Sequence, residues 1–158
     1  MEIFAGSKSL KKAQKMILKG KNSEAKEMIE ELIKAKPSDQ DLLLWLAIAK
    51  SNLKDYTGGL AAIEEAIKLG SKDSVCNMIK GEILLSLDKY KDALEALTIA
   101  IDSNPDNTRI SYFIGLTHLK MGDIDLASNF FEVAIKYDRE LVDSRLLAMA
   151  ELYLHKNR

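Results

Sequence analysis

Residues 74–107 read SVCNMIKGEILLSLDKYKDALEALTIAIDSNPDN, and their spacing decides the fold. Gly81 is followed twelve residues later by Ala93, then by Leu97 and Ala100, and Pro105 closes the stretch. Moved 34 residues forward, the same template meets Gly115, Ala127, Phe131 and Ala134. Moved 34 back, it meets Ala47, Gly59, Ile63 and Ala66, and one step further Ala13, Ala25, Ile29, Leu32 and Pro37. A fixed period of this length with small residues at fixed offsets means a stacked helix-turn-helix array, in which each unit buries its apolar face on its neighbours.

Helical stripes and stop signals fill in the units. In the first, Ala25, Met28, Ile29, Leu32 and Ile33 fall on one face of a helix that Pro37 ends, and Ser38-Asp39 caps the next. Before it, a helix from Ser7 to Leu18 is expected to end at Gly20, with Asn22 or Ser23 capping the helix that follows. Residues 1–6 read as a loose leader. Repeat two carries the apolar LLLWLAIA, a turn at Leu53-Lys54-Asp55, and Gly58-Gly59 inside its second helix. Each of those glycines costs about 1 kcal/mol relative to alanine, so that helix is expected to start late or to be the softest. Gly59 holds a small-residue position, whereas Gly58 has no evident reason in the sequence. After repeat four, with Arg139 where prolines stood before, an unpaired helix at about 142–156 offers Val142, Leu146, Leu147, Ala150, Tyr153 and Leu154. It suits the terminal element that covers an array's exposed core.

These residues resemble the tetratricopeptide (TPR) family over residues 6–141, as repeats 6–39, 40–73, 74–107 and 108–141 with a capping helix at 142–156, all one domain. The small positions match in the first helix (A) of each pair, at Ala13, Ala47, Gly81 and Gly115. They match again in the second helix (B), at Ala25, Gly59, Ala93 and Ala127. The large A-helix positions depart from the pattern, with Ser9 and Lys12, then Asn77 and Lys80, where the family places an aromatic residue and a leucine. The pentatricopeptide alternative, an RNA reader, has a period of about 35, which four repeats in phase at 34 oppose.

The resemblance implies an all-α, right-handed superhelical array of antiparallel helix pairs whose A helices line a concave groove. At the fifth, sixth and ninth positions of repeats two to four stand Leu44, Trp45 and Ile48, then Met78, Ile79 and Glu82, then Tyr112, Phe113 and Leu116. Aromatic side chains of this kind often anchor interfaces, and an apolar stripe of this extent, if exposed, marks a binding surface. The same stripe also fits ordinary core, and burial of both Trp45 and Tyr112 would favour that reading. The family's clamp for carboxylate tails is absent: Leu10, Gln14, Leu44, Ile48, Met78 and Glu82 occupy its positions. The expected ligand is therefore a peptide or amphipathic helix of a partner protein, apolar in character. The chain thus reads as an adaptor or scaffold. Two alternatives stay open: a chaperone holding an apolar client segment, as small TPR chaperones of secretion translocators do, and a homodimer through the C-terminal helix.

Charge and composition narrow the classes. The 23 basic and 24 acidic residues nearly cancel, which opposes a dedicated nucleic-acid binder. Locally the balance fails: Lys8, Lys11, Lys12, Lys15, Lys19, Lys21 and Lys26 face only Glu2 and Glu24. That stretch fits either a solvated end-cap or a basic face for an anionic membrane or acidic partner. A single cysteine, Cys76, allows no intrachain disulfide, and no stretch approaches the ~18 apolar residues of a membrane span. The chain reads as cytoplasmic. His118 and His155 lack metal-ligand spacing, Gly58-Gly59 lacks the residues of a phosphate loop, and Cys76 has no nearby histidine. No enzyme activity, metal or cofactor is expected.

Overall fold

A computed structural model of the chain describes residues 2–70 and 73–137. The expected helix at 142–156, with Arg139 and His155, lies outside the described residues. Eight helices are described: α1 (Glu2–Leu18), α2 (Asn22–Ala35), α3 (Gln40–Asn52), α4 (Tyr56–Lys68), α5 (Ser74–Ser86), α6 (Tyr90–Ser103), α7 (Thr108–Met121) and α8 (Ile124–Tyr137). There is no strand among the described residues. The chain divides into two compact units, Met1–Lys72 and Asp73–Arg158. In the first unit α1 packs on α2, α2 on α3 and α3 on α4, and α1 also touches α3. The second unit repeats the scheme: α5 packs on α6, α6 on α7, α7 on α8, and α5 also touches α7. Within each unit the two A helices therefore lie side by side.

The period is written into the turns. Gly20, Lys54, Asp88 and Gly122, each 34 residues after the last, adopt left-handed φ values of 77°, 64°, 57° and 86°. After each of them the next residue donates its N–H to a carbonyl five residues back: Lys21 to Met16, Asp55 to Lys50, Lys89 to Leu84 and Asp123 to His118, all at 2.9 Å. This is the Schellman closure, which satisfies carbonyls left over at a helix end. Glycine enters that conformation freely and Asp tolerates it, whereas lysine at position 54 pays a steric penalty of about 1–2 kcal/mol.

The A helices after the first are capped with the same regularity. The Asp39 carboxylate accepts from the N–H groups of Asp41 and Leu42, Asp73 from Val75, and Asn107 from Arg109 and Ile110. Tertiary bonds then tie the start of an A helix to the end of its B helix, Gln40 Nε2 donating to the Leu69 carbonyl at 2.7 Å and Ser74 Oγ to that of Ala100 at 2.9 Å.

Three local expectations are corrected. Residues 2–6 are not a leader but the first turn and more of α1. Neither Asn22 nor Ser23 caps α2: Lys21 holds the cap position without a side-chain bond, and the Asn22 Oδ1 instead accepts from Asn52 Nδ2 at 2.9 Å. The helix α4 does not start late, and Gly58 has a reason. Its N–H donates to the capping Asp55 Oδ1 at 3.0 Å, and any Cβ at position 58 would collide with that carboxylate.

The core follows the template. Ala13, Ala25, Ile29, Ala47, Ile63, Ala66, Ala93, Leu97, Ala100 and Ala134 are fully sealed from solvent. At Gly81 an added Cβ would lie 2.8 Å from Leu97 Cδ2, and at Gly115 one would lie 2.9 Å from the Phe131 ring. These two glycines are needed because the B-helix side chain opposite occupies the space a methyl would take.

Candidate protein-binding face

The A helices carry every residue of the expected groove, and the two units treat them differently. On α3, Leu42, Leu43, Leu46, Ala47 and Ala49 are buried, while Leu44, Trp45 and Ile48 are half-buried. These three recur at helical spacing and leave one apolar edge of α3 in contact with solvent. One turn on, the Ser51 hydroxyl is buried without a hydrogen-bond partner among the described residues. A polar atom in that state costs about 1–3 kcal/mol, so it stands out on the helix that carries Leu44, Trp45 and Ile48.

In the second unit Met78, Ile79 and Phe113 are core, at 6%, 8% and 8% exposure. Glu82, Tyr112 and Leu116 are half-buried. Tyr112 and Leu116, with Leu119 and Ile135, pack on the buried pair Ala127 and Phe131. The Tyr112 ring centroid lies 5.3 Å from that of Phe113 and 6.1 Å from that of Phe131, so α7 presents a linked aromatic cluster. Trp45 and Tyr112 are thus neither sealed between helices nor free in solvent.

The sequence reading missed Arg109. Its guanidinium sits 5.6 Å from the Phe113 ring centroid and 3.3 Å from Glu82 Oε2, joining α5 to α7 across their shared face. Burial pushes the Glu82 carboxyl above the usual carboxylate range, and Arg109 draws it part of the way back. The available signal was a basic residue at the second position of repeat four, 27 residues after the only acid among the nine groove candidates. The pair makes this stretch of the face electrically neutral while leaving half of the Arg109 side chain exposed.

His118 Nδ1 lies 3.5 Å from Asp123 Oδ2, and its ring stacks on Phe130 at 5.8 Å, bracing the turn from α7 to α8. Cys76 is buried. Among the described residues no helix is long and apolar enough to cross a membrane.

Known proteins share this fold. The family model described as "Anaphase-promoting complex, cyclosome, subunit 3" matches residues 19–100, and the tetratricopeptide repeat model matches residues 84–152. Human tetratricopeptide repeat protein 33 is 29% identical over 82 residues, covering 52% of this chain and 31% of that protein. The chain thus spans about a third of that relative's length. Among solved structures, a thermophilic TPR protein from Thermus thermophilus superposes with a TM-score of 0.82, at 20% identity over 94% of this chain and 82% of the other. Pseudomonas aeruginosa PilF gives 0.83, at 19% identity over 98% and 69%. With its four in-phase turns, small-residue positions and matching family models, the chain belongs to the tetratricopeptide repeat family.

Proposed function

We propose that this protein is a non-catalytic interaction module that holds an apolar or amphipathic segment of a partner protein against its A helices. The TPR fold is a protein-interaction scaffold, and one of the matching models describes a subunit of a multiprotein complex. The observation that carries the reading is the half-burial of Leu44, Trp45 and Ile48 on α3 and of Tyr112 and Leu116 on α7. These side chains are fixed by core contacts on one side and keep solvent-facing apolar surface on the other. An anchor of that kind loses little conformational entropy when a ligand covers it. Charge gives a lesser contribution here, because Glu82 and Arg109 already neutralise each other. The partner segment is therefore expected to offer leucine, isoleucine or aromatic side chains at helical or extended spacing.

Affinity capture from the source cell's lysate tests this by comparing the wild-type chain with a Trp45→Ala, Tyr112→Ala double variant, both checked for helical content. A protein retained by the wild type and lost from the folded double variant supports the reading. Equal retention by both contradicts it.

A further inference from the structure

The outer face of α1 is a cationic strip with no role in the proposed groove. The geometry points to this strip as a docking surface for an anionic phospholipid bilayer. Lys8, Lys11, Lys12 and Lys15 of α1 and Lys19 in its closing turn are all exposed, while Ala13 and Ile17 on the opposite side are buried. At 100° per residue the five lysines fall within about a third of the helix circumference, and from Lys8 to Lys19 they run about 16 Å along the axis. The apolar side of α1 is already committed to α2 and α3.

Among the described residues no ion pair reaches the strip. Three of the four carboxylates of α2 pair elsewhere: Glu24 with Lys21, Glu30 with Lys50 and Glu31 with Lys34. Like charges three and four residues apart oppose a helix, so the strip is a standing repulsion that an external anionic surface would relieve. The formal net charge of the whole chain is only −1, so the strip is a local concentration and not the overflow of a basic protein.

Two features favour a bilayer over other polyanions. The strip lies along one exposed side of a helix, where a planar array of headgroups can meet all five lysines together. An acidic peptide would need a groove to hold it there. Leu18, at the edge of the lysine arc, is 80% exposed and is placed to enter the headgroup layer beside them. A nucleic-acid duplex would gain nothing from that leucine. Lysines near an anionic leaflet each contribute about fivefold to binding, so the strip supports reversible, salt-sensitive attachment.

Co-sedimentation of the full chain with vesicles tests the assignment, using phosphatidylcholine alone and an equal mixture with phosphatidylserine, at low and high salt. The expected result is binding to the mixed vesicles only, lost at high salt. A Lys12→Glu, Lys15→Glu variant with wild-type melting behaviour should bind more than about 25-fold more weakly, and Leu18→Ser should weaken binding further without changing its salt dependence. No sedimentation with the mixed vesicles, or undiminished binding by the charge-reversal variant, overturns the assignment. So does tighter binding of a DNA or RNA duplex than of mixed vesicles through the same lysines.

Discussion

The two units solve one packing problem with opposite residues. In the first, the small A-helix position is alanine, Ala13 and Ala47, and the B-helix residue at the matching step of the period is isoleucine, Ile29 and Ile63. In the second, the small position is glycine, Gly81 and Gly115, and its opposite is Leu97 or Phe131, whose atoms stand where a Cβ would go. All the B-helix members are sealed from solvent. What the period keeps is thus the fit of a pair, a small residue facing a side chain shaped to it, not the identity of either member. A one-methyl gain on the A side is offset by loss of reach on the B side.

The largest test of that difference empties the pocket. Phe131→Ala should cost about 3–5 kcal/mol in chemical denaturation followed by circular dichroism, because a rigid core cannot close on the missing ring. Next comes a test of sign. On an exposed helix Gly→Ala would stabilise by about 1 kcal/mol, but Gly115→Ala should destabilise by about 1–3 kcal/mol through overpacking against Phe131. A gain in stability would break the comparison. Gly81→Ala should likewise destabilise, and adding Leu97→Ile, which transplants the first unit's pair into the second, should restore a large part of the loss. Additive costs for the two changes would show that the two positions are not coupled.

Turns and charges give smaller effects. Lys54→Gly should raise stability by up to about 1 kcal/mol, since lysine there is held in the left-handed region while the backbone bonds of the turn do not involve its side chain. Asp88→Gly should gain less, because aspartate tolerates that conformation and Asp88 Oδ1 also accepts from the Tyr90 hydroxyl at 2.7 Å. For Glu82 the folded carboxyl titrates above its unfolded value, so the folded state holds the proton more tightly. That contribution is present at acidic pH and is lost as pH rises through the folded value. Glu82→Gln should accordingly raise the melting temperature slightly at neutral pH, and the gain should vanish in acid. A lower melting temperature at neutral pH would mean that the Arg109 pairing outweighs burial.

Much of this was legible in the sequence because the period-setting residues act through local geometry. Gly20 and Gly122 mark left-handed turns, Asp39 caps a helix, and Pro37 ends one, each for a reason contained within a few residues. Lys54 and Asp88 adopt the same left-handed turn without announcing it, because the hydrogen-bond pattern imposed by the helix pair overrides side-chain preference. Gly58 was opaque for a similar reason: its role depends on the carboxylate of Asp55 folding back over it. At the candidate face, the period located the helices but not the rotation of each side chain. Met78, Ile79 and Phe113 share repeat positions with half-buried Leu44, Trp45 and Tyr112, yet lie in the core. Arg109 gained its place only when α5 and α7 came side by side and brought Glu82 within reach.

The central claim is that partners meet the A helices. The most direct test is site-specific photo-crosslinking in the source cell, with a photoreactive phenylalanine analogue placed singly at Ile48 or Leu116. Controls carry it at Ile99 or Val133, which are exposed on the B helices at 48% and 40%. Adducts to the same partner from the A-helix positions, and none from the B-helix positions, are predicted. Adducts confined to Ile99 or Val133 would contradict the account and move the binding surface to the other side of each helix pair.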